Sequence, residues 1–159
     1  MSTNRSHEIR PGRLSDVDAI AAMMPELASF ETLEGRNPRD LWEGDVATLQ
    51  RWKNGQEPNV MVHVAEAANG VVEGFTMVSL REEAMSHEPS SHLEAIVVHK
   101  NARGAGLGTK LLANAEQHAK SAGAKTMTLH VFEKNVTARA VYRRAGYDEE
   151  MIRDIKQLT

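Results

Sequence analysis

The chain contains no cysteine in its 159 residues. Disulfides, thiolate metal sites and an acyl intermediate carried on a cysteine are therefore excluded. Apolar runs are also short: none approaches the ~20 residues that a membrane span needs, and the N-terminal MSTNRSHEIR lacks the apolar core of a secretion signal. Neither sign of charge is in large excess, since 19 Lys+Arg against 22 Asp+Glu give a net charge of −3. We therefore expect a cytoplasmic protein with no nucleic-acid or membrane partner.

The length and composition predict one globular domain over residues 1–159. Domains usually run ~100 to 200 residues, and the hydrophobic content of 41% and charged content of 26% are ordinary for a folded protein. The histidines form no H-E-x-x-H motif and no repeated i, i+4 pairing on one helix, so we expect no metal site.

Apolar periodicity predicts helices and strands in turn. A first helix over residues 16–29 should be capped by Ser15 and kinked or split at Pro25. The other predicted elements are strands at 7–10, 59–66, 71–81, 93–98 and 125–132, helices at 39–52, 107–122 and 136–145, a surface loop at 82–91, and an edge strand at 151–158. The second and third strands should form an antiparallel hairpin, because Asn69-Gly70 separates them.

Residues 92–110, HLEAIVVHKNARGAGLGTK, organise the chain. An apolar strand runs through a polar turn into glycines at 104, 106 and 108, and a helix follows at once. The first backbone N–H groups of a helix have no partner inside it and lie at its positive end, so they bind anions. Glycine lets a diphosphate approach them, and Arg103 adds a forked positive charge. This stretch predicts a diphosphate-binding turn, and a flexible turn without a ligand is the alternative.

Two familiar phosphate loops do not fit this spacing. A Walker A loop needs Gly-Lys-Ser/Thr, but Lys110 follows Thr109 and precedes Leu111. A dinucleotide fingerprint that starts at Gly104 needs a glycine at 109. What fits is R-x-x-G-x-G, and a nucleotide-binding domain is disfavoured.

A second motif lies about thirty residues further on. Asn135 can cap the next helix, and Tyr142, seven residues later, lies two turns along the same face. Taken alone, such a capped helix is usually structural. However, N-x-x-A-x-x-x-Y-x-x-x-G-Y after R-x-x-G-x-G resembles the GCN5-related N-acetyltransferase (GNAT) superfamily over residues 14–158, most strongly over 93–147.

The resemblance implies a single-domain α+β fold in which helices flank a mixed central sheet, with the fourth and fifth strands parted to admit acetyl-CoA as co-substrate. It implies that the pantetheine arm of this cofactor binds to the backbone of Ile96, Val97 and Val98. The pyrophosphate would bind to Arg103, Gly104, Ala105, Gly106, Leu107, Gly108 and Thr109. The far side of the arm would be approached by Asn135, Ala138 and Tyr142.

The resemblance also implies roles for two catalytic residues. Glu94 matches a position that often serves as general base, and Tyr142 matches the usual general acid. The implied reaction is acetyl transfer from acetyl-CoA to a primary amine of a small molecule or peptide, directly in one ternary complex. A catalytically silent acyl-CoA-binding module that regulates a partner is the alternative.

The acceptor and the assembly are harder to predict. Residues 27–34, LASFETLE, are similar to the first-helix segment of diamine and polyamine acetyltransferases, and the acidic stretch around them would attract a small cationic amine. We therefore assign Phe30, Glu31 and Glu34 to the acceptor site, although charge runs are more often solvated helix faces. Many relatives pair through their C-terminal strands, which predicts a homodimer.

Overall fold

A computed structural model of the protein describes residues 6–159. Its strands are β1 (His7–Pro11), β2 (Val60–Ala67), β3 (Val72–Glu82), β4 (Pro89–Val98) and β5 (Met127–Leu129). Its α-helices are α1 (Val17–Met23), α2 (Glu43–Lys53), α3 (Leu107–Ser121) and α4 (Val136–Arg144), and short 3-10 helices cover Leu14–Asp16, Met24–Ala28, Pro38–Leu41 and Lys100–Ala102.

The five strands form one mixed sheet in the order β1-β2-β3-β4-β5. The first four are antiparallel neighbours, whereas β5 runs parallel to β4. Helices flank both faces of the sheet: α1 and α2 pack over a core that includes Phe75 and Met77, and α3 covers the opposite face around Leu111 and Leu112. The expected α+β architecture is therefore confirmed.

Local signals predicted several elements well. The hairpin of β2 and β3 is antiparallel as expected. The first helix splits at Met24, where α1 gives way to a 3-10 helix that contains Pro25, because proline cannot donate the backbone hydrogen bond that the helix requires. Helix α3 ends at Ser121 with Ala122 as its C-cap, and Gly123 follows with φ +96°.

Four expectations were wrong. Ser15 lies inside a 3-10 helix, and the Asp16 carboxylate instead accepts from the Arg13 N–H at 2.6 Å. The loop before β4 is shorter, since β4 begins at Pro89 and buries Ser90 and Ser91. Residues 125–132 contribute only the three residues of β5.

The fourth error concerns residues 151–158, which contain no strand. No described strand pairs with them, and Ile152 is 93% exposed and Leu158 89% exposed. The alternating apolar side chains of this segment therefore do not form a strand of the sheet within one chain.

No helix within residues 6–159 is long and apolar enough to cross a bilayer. The same residues contain no group of three or more histidine or acidic side chains placed to hold a metal ion.

Candidate active site

Strands β4 and β5 pair over only a short stretch at one side of the sheet. They pair only from Ser91 to Leu93 on β4, opposite Met127 to Leu129. Beyond Leu93, β4 continues to Val98 beside β3 but has no partner on its other edge among the described residues. The backbone of Ile96, Val97 and Val98 therefore borders an open cleft, in which an extended chain can add to the strand edge as another strand would.

The glycine turn lies at the end of this cleft. Gly104 and Gly106 have φ of +87° and +77°, and a Cβ at either would meet no atom within 4 Å. Gly106 caps α3 without any side-chain hydrogen bond. The N–H groups of the first turn of α3 thus face open space at the positive helix end, as a diphosphate site requires.

Side chains around the turn define what can contact a ligand. The side chain of Leu107 is buried in the core with Ala65 and Leu111, so only the backbone of Leu107 is available to a ligand. Gly108 has room for a Cβ atom, since such an atom would lie 3.7 Å from Val98 Cγ2, which is an ordinary van der Waals distance. The half-exposed Arg103 donates from Nε to the Val98 carbonyl at 3.1 Å and from Nη2 to Glu26 at 2.9 Å. In this structure its guanidinium is thus engaged by Glu26.

Glu94 lies at a β-bulge in the middle of β4. Met77 of β3 opposes Ala95, and Val78 opposes Leu93, so Glu94 has no partner in the register. A bulge of this kind re-aims a side chain. Leu93 packs against the core under α3, whereas Ala95 packs against the core under α1 and α2.

The Glu94 carboxylate is held by β3. Ser79 Oγ donates to it at 2.6 Å, and Arg81 forms an ion pair with it. Arg81 also donates to Ser79 Oγ at 2.8 Å. The Glu94 side chain remains 24% exposed. It is therefore fixed in direction and accessible, as a base toward a bound amine must be.

A histidine pair borders the same region. Nδ1 of the buried His92 ring forms a hydrogen bond with Thr128 Oγ1 at 2.7 Å. The His92 ring also meets the ring of the exposed His130 edge-on, with 4.7 Å between the ring centroids. Burial, reinforced by Arg81, lowers the pKa of His92 to about 4. His92 is thus neutral near pH 7.

Tyr142 lies on the α3 side of the sheet. Its ring packs with the cluster of Leu93, Leu112 and Ala115 and meets Tyr147 edge-on at 5.9 Å. No hydrogen bond of its hydroxyl occurs among the described residues. Burial raises the pKa of Tyr142, so the hydroxyl keeps its proton well above neutral pH.

Helix α4 begins as expected. Asn135 Oδ1 accepts from the Ala138 N–H at 3.3 Å and caps the helix. Ala138 and Tyr142 therefore lie on one short helix that follows β5, and Asn135 is the N-cap of that helix.

The three residues assigned to the acceptor do not lie together. Phe30 contacts Phe132 after β5, with ring centroids 5.3 Å apart, and Glu31 lies 3.9 Å from Lys134. Both therefore adjoin the segment that leads to Asn135. Glu34 instead lines a separate cleft of about 420 Å³ with Leu33, Arg36, Asp40, Gly35, Ile155 and Gln157.

Sequence reasoning missed Ser79 and Arg81 as partners of Glu94, and it did not connect Asp45 or His92 with the charge of Glu94. Burial, and next to it the charge of Glu94, raise the pKa of Asp45 to about 7. The spacing of Asp45 from Trp42 and Leu49 was the one available signal, because it places the carboxylate on the inward face of α2.

Comparison with known proteins agrees with this geometry. The model of the acetyltransferase (GNAT) family matches residues 22–147. The aminoalkylphosphonate N-acetyltransferase of Salmonella typhimurium is 33% identical over 153 residues, which cover 95% of this chain and 91% of that protein.

Solved structures show the same fold. One described as an acetyl transferase from Pyrococcus furiosus has a TM-score of 0.78 at 22% identity, covering 96% of this chain and all of its own. An aminoglycoside N-acetyltransferase in complex with CoA has a TM-score of 0.74 at 19% identity, covering 99% and 98%. The chain therefore belongs to the acetyltransferase (GNAT) family and is an acetyl-CoA-dependent N-acetyltransferase.

Proposed function

We propose that this enzyme transfers the acetyl group of acetyl-CoA directly to a primary amine held in the same ternary complex. The observation that carries the proposal is the open edge of β4, which has the glycine turn at one end and the fixed Glu94 carboxylate at the other.

The open edge fits the co-substrate. The pantetheine arm would pair with the backbone of Ile96 to Val98, and the diphosphate would lie against residues 103–109, where Gly104 and Gly106 leave free space. Asn135, Ala138 and Tyr142 would close the far side. Acetyl-CoA supplies the activated thioester, and the chain supplies position and proton transfer.

Proton transfer is needed at both ends of the reaction. An alkylamine with a pKa near ~10 is almost fully protonated at neutral pH and cannot attack until a base removes a proton. We assign this role to Glu94, acting directly or through a water. Tyr142, whose raised pKa keeps its proton in place, would protonate the departing thiolate. Because the chain has no cysteine, the commonest acyl-enzyme route is closed.

The acceptor we propose is a small cationic amine. Phe30 and Glu31 adjoin the entrance to α4, and the separate cleft described above is lined by two acids, Glu34 and Asp40, against one base, Arg36. An aminoalkylphosphonate is the second candidate, because the Salmonella relative named above acts on that class.

The test is release of free CoA thiol from acetyl-CoA in the presence of an amine panel. The panel should contain polyamines, aminoalkylphosphonates, aminoglycosides, amino acids and peptide N-termini. Turnover with a small amine supports the proposal. Acetyl-CoA binding without turnover across the whole panel would favour the silent binding module instead.

We further propose that the whole chain is one N-acetyltransferase domain, acts in the cytoplasm and forms a homodimer. Apolar side chains of the C-terminal segment, including Met151, Ile152 and Leu158, are exposed in the single chain and would be covered by a second copy. Light scattering at micromolar concentration should give twice the chain mass of 17.6 kDa. A mass of one chain would overturn the dimer.

A further inference from the structure

The Arg103 guanidinium joins the end of β4 to the segment that follows α1. Its Nε donates to the Val98 carbonyl at 3.1 Å, and its Nη2 donates to the Glu26 carboxylate at 2.9 Å. Glu26 lies in the 3-10 helix Met24–Ala28, 77 residues before Arg103 in the chain. We call these two contacts the Arg103 bridge. They connect the glycine turn, β4 and the end of the first helical segment through one side chain.

The Val98 carbonyl points toward the open edge of β4. It belongs to the same peptide unit as the His99 N–H, and the C=O and N–H bonds of a trans peptide point in opposite directions. The His99 N–H donates to the Glu73 carbonyl of β3 at 2.7 Å, and no peptide bond among the described residues is cis. The Val98 carbonyl therefore points away from β3. Arg103 occupies a backbone acceptor that an extended ligand on this edge would otherwise use.

The Arg103 bridge is exposed enough to open. The side chains of Arg103 and Glu26 are 49% and 35% exposed, and ion pairs at the surface contribute little to stability because water competes for both partners. A diphosphate offers several charged oxygens that fit the forked donors of arginine. Gly104 and Gly106, which follow Arg103, leave space for it. The guanidinium thus has two competing anionic partners, the Glu26 carboxylate and a diphosphate at the turn.

We propose that Glu26 is a positioning residue for the co-substrate, which holds Arg103 across the open edge of β4 until a diphosphate is bound. Arg103 then leaves Glu26 and Val98 for the diphosphate, and the Val98 carbonyl becomes free for the pantetheine arm. This rests on the proposed function, because it needs the diphosphate at the glycine turn and the arm along β4. Binding of the diphosphate and binding of the arm are therefore coupled through Arg103.

Two fragments of acetyl-CoA separate the two halves of this coupling. ADP carries a diphosphate but no pantetheine arm, whereas S-acetylpantetheine carries the arm and the thioester but no diphosphate. ADP has to compete with Glu26 for the guanidinium, so removal of the Glu26 charge should strengthen ADP binding. S-acetylpantetheine lacks the anion that moves Arg103, so removal of the guanidinium should strengthen its binding.

The experiment measures the affinities of acetyl-CoA and ADP by calorimetry, and that of S-acetylpantetheine by competition with acetyl-CoA. The variants are Glu26→Gln, Arg103→Met, the double variant and Glu57→Gln. Glu57→Gln is the matched control, because Glu57 pairs with Arg51 at 2.7 Å and the two side chains are 28% and 49% exposed. It removes a carboxylate from an arginine ion pair of similar distance and exposure, outside the residues assigned to the co-substrate.

We expect Glu26→Gln to bind acetyl-CoA and ADP about two- to fivefold more tightly than wild type, because a competing surface ion pair is lost. Arg103→Met should bind ADP about tenfold or more weakly, because a charged hydrogen-bond donor is lost, and should bind S-acetylpantetheine more tightly than wild type. Glu57→Gln should match wild type for all three ligands. Opposite changes for two ligands of one variant cannot follow from a loss of folding.

The double variant separates the contact from a general effect of charge. If Glu26 acts through Arg103, Glu26→Gln should not change ADP affinity further once Arg103 is methionine. Equal tightening in that background would show that Glu26 only repels the anion, and it would overturn the inference. So would a wild-type ADP affinity of Glu26→Gln, or S-acetylpantetheine binding to Arg103→Met that is no tighter than to wild type.

Failure of the proposed co-substrate site would look different. If Arg103→Met binds ADP as wild type does, Arg103 does not contact the diphosphate, and the placement of acetyl-CoA at this turn fails together with the role of Glu26. If Arg103→Met weakens ADP binding but Glu26→Gln leaves it unchanged, the diphosphate site stands and only the role of Glu26 fails.

Discussion

Replacement of Gly106 by valine tests the diphosphate site at the start of α3. Gly106 has φ +77°, and an added Cβ would meet no protein atom within 4 Å. The Cβ of the variant therefore has free space in the protein, but any L-residue in this left-handed conformation costs roughly 1–2 kcal/mol. The added side chain projects into the space where we place the diphosphate.

A control must separate this backbone strain from ligand binding. Gly123 provides one, because it lies just past the opposite end of α3, has φ +96° and would also meet nothing within 4 Å. Gly123→Val therefore carries similar strain about 25 Å away along the helix. Both variants should melt several degrees below wild type, since 1 kcal/mol shifts Tm by about 2–4 °C in a chain of this size.

The two variants should differ only when acetyl-CoA is added. At a hundredfold excess over Kd, a ligand stabilises the folded state by about 2.7 kcal/mol, which corresponds to a rise in Tm of about 5–10 °C. Wild type and Gly123→Val should both gain this rise. If Gly106→Val weakens binding a hundredfold, the same concentration stabilises it by only about 0.4 kcal/mol.

The assay is thermal unfolding with and without acetyl-CoA, at one ligand concentration for all three proteins. A full rise in Tm for Gly106→Val would refute the placement of the diphosphate at this turn. So would an equal loss of the rise in Gly123→Val, because the loss would then follow from strain alone.

Four further predictions concern the chemistry, the pH response and the acceptor site. Tyr142→Phe should lower kcat by about 10²-fold with little change in acetyl-CoA affinity, because only the leaving group loses its proton donor; a parallel loss of affinity in calorimetry would instead indicate a packing role. Glu94→Gln should lower the rate most at low pH and recover in part as free amine becomes available at high pH, and a wild-type pH profile would contradict its role as base. His92 is neutral in the folded state with a pKa of about 4, but it takes up a proton near pH ~6.5 when unfolded. The contribution of neutral His92 to the free energy of unfolding is therefore full above that pH and is lost as the pH falls from about 6.5 to about 4. Urea titrations should show that the free energy of unfolding of His92→Gln depends less on pH in this range than that of wild type. An unchanged pH dependence would refute the lowered pKa of His92. Glu31→Gln with Glu34→Gln should raise the acceptor KM and reduce its dependence on salt, and an unchanged KM would remove both residues from the acceptor site.

Features governed by local sequence were predictable. The glycine turn, the cap at Asn135 and the split at Pro25 each depend on the backbone conformation of one residue or on one missing or added hydrogen bond. The strand before the turn and the helix after it follow from apolar periodicity. These elements border the open edge of β4 where we place acetyl-CoA, so this part of the fold could be predicted from the sequence.

Features governed by pairing partners were not predictable. Ser90 and Ser91 were assigned to a surface loop because they are polar, yet both are buried in β4, where Ser91 Oγ donates to the Thr126 carbonyl at 2.9 Å. The bulge at Glu94 arises from the register with β3. Likewise, the length of β5 depends on its pairing with β4, which covers only three residues. The alternating apolar residues of 151–158 are not sufficient to form a strand without a neighbouring strand edge.

The surroundings of Glu94 show the same limit. Asp45, Arg81 and Glu94 come from three elements that the fold brings together. In the sequence, Asp45 belongs to an acidic stretch that is most simply a solvated face. Only the packing of α2 against the sheet shows that Asp45 is partly buried.

We propose above that the acetyl group passes directly to an amine within one ternary complex. The most direct measurement is the initial rate at varied concentrations of both acetyl-CoA and the best amine of the panel, together with the intact mass of the enzyme after incubation with acetyl-CoA alone. Direct transfer predicts intersecting double-reciprocal lines and an enzyme of unchanged mass. Parallel lines with a trapped acetyl-enzyme would contradict it.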